Sequence, residues 1–281
     1  GEFSGTYLSR YDGPLETTAY QSHQDDKQYG LDTFLSGPVE AFGRTHEVVV
    51  GTSKRVYDAT SKEYSPYDTN YPFNGAKPDF VRNGKGHNIT TQDGVYLTTR
   101  LSLADPLTLV LGGRLSWWDF DNTTYTPNGA RTGKSNDNVD GEFTPFVGLV
   151  YDINQTYSLY ASYAEVFQPH NARTRDINGG MLEPLQGEQW EAGIKGELFD
   201  DKVNLSLAVF RTEQDNFAEQ AGMIGSVAYY RAIEGLTSEG YELEVSGEVL
   251  PGLQVFGGCT YNMLRNNGDS DVAYETPKHM L

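Results

Sequence analysis

The side chains best equipped to act on a ligand in this chain are aromatic and basic, not nucleophilic. Trp118 and Phe120 stand two residues apart in an alternating stretch, with Arg114 further back on the same parity. Aromatic rings at that spacing offer rigid, flat area to a planar or folded ligand, and a guanidinium adds a charged handle. A second group, Tyr67, Tyr71 and Phe73, sits in the segment 64–74, which is dense in aromatics for a polar stretch and suited to capping a ligand. Tyr125, Arg131, Phe167, His170, Arg173 and Arg175 complete the candidates, Arg173 and Arg175 for an anionic group. The plainer readings are a loop packing on itself for 64–74 and a solvated loop for the arginines.

Catalytic and metal-site patterns are missing. His46-Glu47 is followed by Val50, so no His-Glu-x-x-His helix exists, and the five histidines show no ligand spacing. There is no Gly-x-Ser-x-Gly elbow, and Gly84-Lys85-Gly86 is not a phosphate loop. Asp269-Ser270-Asp271 reads as polar loop more than as a calcium site. The expectation is a protein that is not an enzyme, with no metal site and no intrinsic cofactor.

Composition narrows the class. The 281 residues carry 39 acidic against 21 basic side chains, a formal charge of −18, which repels polyphosphates and argues against a nucleic-acid partner. Aromatics reach 12%, too many for a disordered chain, and a single cysteine, Cys259, excludes a disulfide framework. No run of 18 apolar residues marks a transmembrane helix. The chain opens Gly1-Glu2-Phe3 without a signal segment and stops where a strand could begin, which reads as an internal piece of a longer protein.

The elements that must position these residues are strands. From Leu107 to Trp118 the odd positions are apolar or glycine, and the even ones include Thr108, Arg114 and Ser116. The same period of two runs through Tyr157–Tyr163, Trp190–Leu198, Val203–Val209 and Tyr241–Val249, and Cys259 shares the apolar parity. Very short links at Phe42-Gly43-Arg44, Ala104-Asp105-Pro106, Asp152-Ile153-Asn154, Phe199-Asp200-Asp201-Lys202 and Leu250-Pro251-Gly252 have the chemistry of tight reversals. Between them lie long polar stretches, expected as loops over 59–91, 122–140, 168–187, 216–227 and 265–277. Short turns on one rim and long loops on the other are the signature of a transmembrane antiparallel β-barrel, here all-β with about eleven strands. The apolar face would meet lipid, and Glu191, Lys195, Glu197, Glu242, Glu244, Glu248, Arg100 and Arg114 would line a wet lumen. In that frame Trp117 belongs to the interfacial girdle, and the same plainer reading applies to Trp118 and Phe120. A large soluble β-sandwich with one polar face is the alternative architecture. Residues 1–281 read as a single domain or part of one.

Three segments carry a family resemblance: Tyr157–Pro169, Leu182–Leu198 and Asn204–Arg211, the last with Gln214-Asp215-Asn216 beyond it. With Ser36-Gly37-Pro38, Phe42–Glu47 and Thr276-Pro277-Lys278-His279, they resemble the barrel of TonB-dependent ferric-siderophore receptors, in the branch for hydroxamate and pyoverdine-type siderophores. The resemblance implies a monomeric outer-membrane protein of a Gram-negative bacterium, with a barrel of about 22 strands around an N-terminal plug. This chain resembles the middle of that barrel, without plug or TonB box. The implied function is binding of a ferric siderophore at the extracellular face and its import with TonB-coupled energy, with TonB and outer-membrane lipid as partners. A passive porin-like channel and a soluble β-rich binding or adhesion module are the alternatives.

Overall fold

The computed structural model describes residues 2–9, 16–66, 79–170, 174–200, 202–225, 227–266 and 277–280. Its regular elements are all strands: β1 (Glu2–Ser9), β2 (Glu16–Ala41), β3 (Arg44–Pro66), β4 (Phe80–Ala104), β5 (Leu107–Tyr125), β6 (Arg131–Asp152) and β7 (Tyr157–Gln168). They continue with β8 (Leu185–Leu198), β9 (Val203–Asp215), β10 (Phe217–Ile224), β11 (Val227–Ile233), β12 (Leu236–Leu250), β13 (Leu253–Asn266) and β14 (His279–Met280). Twelve of them form one sheet in chain order, in which β9 neighbours β12, while β10 and β11 pair as a separate hairpin.

The tight reversals fall where turn chemistry places them. Phe42 and Gly43 have φ of 52° and 73°, and Phe199 and Asp200 both have 57°. Two successive left-handed residues match the right-handed twist of the flanking strands. The strands themselves run further than expected. Much of 59–91 and 122–140, anticipated as loops, is strand, because β3 continues to Pro66, β4 starts at Phe80, β5 reaches Tyr125 and β6 starts at Arg131. Segment 216–227 is likewise mostly the β10–β11 hairpin, so the described strands number more than the eleven expected. These extensions have no apolar face, so the alternation that marks a half-buried strand is absent from them. Backbone ladders and polar cross-strand pairs hold them instead. Tyr67, Tyr71, Phe73 and Arg173 lie outside the described residues.

The chain divides into two compact units. The first comprises Gly1–Asp32, Ser53–Asp93 and Trp117–Asp140. Its polar pairs include Lys54 with Asp93 at 2.9 Å, His87 with Asp58 at 2.9 Å, Lys134 with Asp121 at 3.6 Å, and the Asn83 amide donating to Ser65 Oγ at 2.7 Å.

The second unit comprises Thr33–Thr52, Gly94–Ser116 and Gly141–Leu281. Its registers carry the face pattern across six strands. Leu149, Ala161, Ala192, Val209, Tyr241 and Tyr261 lie side by side from β6 to β13. The adjacent row on the other face is Gly148, Ser162, Glu191, Phe210, Gly240 and Asn262. The apolar row is solvent-facing rather than a packed core: Leu149, Val209 and Tyr241 are all exposed.

Beside the Phe42-Gly43 turn, the buried His46 is held from both ring nitrogens. The Ser102 amide donates to Nδ1 at 3.1 Å, so Nε2 carries the proton and donates to the Ala41 carbonyl at 3.1 Å. Replacing His46 by alanine removes the side-chain partner of two half-buried backbone groups and is expected to cost about 1 kcal/mol. Thermal denaturation in detergent checks this, and an unchanged melting temperature would contradict it.

Candidate ligand-binding site

In the first unit, Trp118 and Phe120 form the strongest candidate. Side chains two apart on a strand share a face, and here the rings stack with centroids 6.0 Å apart and planes 8° from parallel. Phe120 is buried and supports the half-buried Trp118, whose remaining surface is open to a ligand. Tyr125 lies under the Lys85 ammonium, 5.4 Å from the ring centroid, which makes the pair a cation–π contact. Arg82 donates to the Pro127 carbonyl in the 126–130 link. Tyr57 lies beyond the roughly ten residues that a bilayer crossing takes from Arg44. Partial burial, and then its hydrogen bond to the Asp26 carboxylate, raise its phenol above the usual value.

In the second unit, Arg114 is tied into the sheet. Its Nε donates to Ser116 Oγ at 3.0 Å, and Ser116 is only 1% exposed. The guanidinium lies directly over Gly94, where any Cβ would overlap it. The missing side chain of Gly94 is therefore what gives Arg114 its place. Phe167 is opposite Gln186 and two residues from Glu165, which puts it on the Tyr163 face and not on the Glu191 face. His170 Nε2 is 2.8 Å from the Asn216 carbonyl, and Asn216 donates its amide to Pro184 O at 3.1 Å. Arg175 pairs with Met181, and its carbonyl accepts the Tyr230 amide at 2.8 Å. Both candidates thus root the β10–β11 hairpin.

Two features escaped sequence reasoning. The polar face holds a charged cluster in which Tyr160 donates to Glu191 Oε1 at 2.6 Å, Gln189 donates to Glu191 Oε2 at 3.2 Å, and the Lys195 ammonium lies 4.9 Å from the Tyr160 ring centroid. Alternation gave these residues a face, but only register brought them together. The other is the hairpin, whose tip exposes Met223, Ile224 and Val227 and whose Glu219 and Arg231 pair at 2.6 Å. The alternation of Tyr229 and Arg231 with Ala228 and Tyr230 is too short to separate it from a loop.

The sequence profile of the family described as TonB dependent receptor-like, beta-barrel matches residues 2–281. The chain belongs to this family. It is a barrel segment of antiparallel strands, and the family is one of Gram-negative outer-membrane receptors and transporters, not of enzymes. Curated relatives include the ferripyoverdine receptor of Pseudomonas aeruginosa, 35% identical over 96% of this chain and 34% of the relative. A ferric-pyoverdine receptor of Pseudomonas putida is also 35% identical, over 90% of this chain and 32% of the relative. The barrel segment therefore spans about a third of the length of these relatives. Among solved structures, the Pseudomonas aeruginosa ferripyoverdine receptor bound to ferripyoverdine superposes with a TM-score of 0.81 at 32% identity, covering 99% of this chain and 39% of that one. The alcaligin receptor FauA of Bordetella pertussis gives a TM-score of 0.75 at 29% identity, over 94% and 44%.

Proposed function

We propose that residues 1–281 are one domain, the middle of the barrel of a monomeric outer-membrane receptor. That receptor binds a ferric siderophore at its extracellular side and imports it with energy coupled through TonB. The observation that carries this reading is the 35% identity to a ferripyoverdine receptor over 96% of the chain. The barrel of the whole receptor has about 22 strands and an N-terminal plug. The cargo is a pyoverdine or hydroxamate-type ferric complex, and the iron is part of the cargo, not a resident metal.

Trp118 is the ligand contact in this reading, with Phe120 beneath it as support. A chromophore or folded peptide backbone lies flat on such a platform at little entropic cost, because both rings are already stacked. Arg114, Tyr125 and Phe167 are secondary candidates, as are Tyr67, Tyr71, Phe73 and Arg173. Phe167 is the weakest on geometry, since it stands on the Tyr163 face, and Arg114 has its Nε already bonded to Ser116.

The test is fluorescence quenching of the full-length receptor in detergent with ferric pyoverdine, ferrioxamine and a ferric catecholate. Saturable quenching by one hydroxamate or pyoverdine-type complex is expected, with affinity about tenfold weaker in Trp118→Ala, a loss of about 1.4 kcal/mol. No saturable quenching by any of them, with ion conductance in planar bilayers, would replace the receptor with a passive channel.

A further inference from the structure

The β10–β11 hairpin is a sheet of two strands, so each strand has an edge that its partner does not cover. The Tyr230 amide leaves β11 for the Arg175 carbonyl at 2.8 Å, away from β10. In an antiparallel pair, opposed residues turn their main-chain groups toward each other or away from each other, in alternation. Tyr230 is opposite Gln220, so the amide and carbonyl of Gln220 also point away from β11. Those of Ala218, opposite Ala232, do the same. Past the bulge between Gln220 and Gly222, Met223 opposite Ala228 turns outward as well.

The two edges differ. Arg175 takes up part of the β11 edge. On the β10 edge, among the described residues, no main-chain partner meets Ala218, Gln220 or Met223, and Gln220 and Met223 are exposed. No lysine or proline blunts that edge, and Ala218, Ala221 and Gly222 leave it open to close approach. The complement of such an edge is another extended chain of amides. From Ala218 to Met223 it is about 15 Å long at strand rise. A long strand from a second copy or a folded protein follows a straight edge, and the bulge bends this one after its first residues. A short, flexible oligopeptide of about four or five residues can follow the bend. β9 ends and β12 begins on the rim opposite the tight turns, so the hairpin stands on the loop side.

We propose that the β10 edge is a second contact for the cargo and takes the peptide arm of a peptidic ferric siderophore as a third strand. This rests on the receptor reading above and narrows it, because a chelate without such an arm gains nothing from the edge. Main-chain hydrogen bonds supply the affinity, and the small residues at 218 and 221 leave room for the side chains of the arm.

The test uses the full-length receptor in detergent, with ferric pyoverdine as the peptidic probe and ferrioxamine as the probe without a peptide arm. Hydrogen–deuterium exchange over 217–224 should slow at least about threefold when ferric pyoverdine binds, and ferrioxamine should leave it unchanged. Ala218→Pro removes an outward N–H and no ladder bond, so it should weaken ferric pyoverdine binding about tenfold. Ala232→Pro is the matched change on the opposite edge and should stay within about twofold of the parent. Protected Arg231 and Ile233 amides show that the hairpin is intact in each variant, and if it is not, exchange in the unmodified receptor decides. Unchanged exchange over 217–224 with ferric pyoverdine bound, or equal losses in the two folded proline variants, would overturn the proposal and leave the receptor reading in place. Binding of ferrioxamine without ferric pyoverdine overturns it in the same way. A receptor that binds no ferric siderophore overturns both.

Discussion

Replacing Leu207 by arginine is expected to lower the stability of the barrel in a bilayer by about 2–4 kcal/mol, the cost of an arginine near the midplane of a lipid-facing surface. Leu207 lies in the apolar run of β9, opposite Ile194 on one side and Leu243 on the other, and is itself exposed. Nothing on that face can pair a guanidinium at this depth. The neighbouring Ser206 is the control. It lies opposite Lys195 and Glu244, on the face that is wet in this architecture. Ser206→Arg should cost less than about 1 kcal/mol, because water and Glu244 both solvate the charge. Urea midpoints for refolding the full-length receptor into phosphatidylcholine vesicles compare the two. Equal losses for neighbours one residue apart would mean that the faces are wrongly assigned.

A second large effect is expected at Gly240. It stands on β12 between Phe210 and Asn262, and a Cβ there would overlap the carbonyl oxygen of Tyr261, a backbone atom of the next strand. The Phe210 ring closes the remaining side at 3.0 Å. A flexible side chain could swing away, but a ladder carbonyl cannot move without breaking its own pairing. Gly240→Val should therefore cost about 3–5 kcal/mol, in the range of severe core overpacking and lost ladder bonds together. Gly257 on the neighbouring β13 has open space where a Cβ would go, so Gly257→Val should fall within about 0.5 kcal/mol of the parent. Heat-modifiable gel mobility over a temperature series separates them. Similar shifts for both variants would show that glycine content, and not close approach at Gly240, governs this region.

Much of this was readable before any coordinates. The tight reversals at Phe42-Gly43, Asp105-Pro106 and Pro251-Gly252 announce themselves through residues suited to turns. The alternation in Leu107–Trp118 and Tyr157–Tyr163 gives each side chain a face, because consecutive Cβ atoms on a strand point to opposite sides. The family was also legible, from Tyr157–Pro169 and its neighbours, and the profile match over 2–281 agrees. The extensions of β3 to Pro66 and β6 from Arg131 were not legible. Their two faces are both polar, and a strand without an apolar face resembles a loop in sequence. The β10–β11 hairpin was hidden because its alternation is too short to separate it from a loop, and because it interrupts the chain between two strands that pair with each other, β9 and β12.

What the sequence determined by itself is therefore local: strand or turn, which face each residue takes, and the family those patterns belong to. The tertiary structure decided which residues on a face become neighbours. Tyr160 meets Glu191 and Lys195, Ala161 meets Ala192, and Gly240 comes against the Tyr261 carbonyl only in the observed register. Register is set jointly by ladder bonds between distant segments and by the requirement that one whole face stay apolar. No single strand contains that information, so the polar cluster emerges only when the strands are laid side by side.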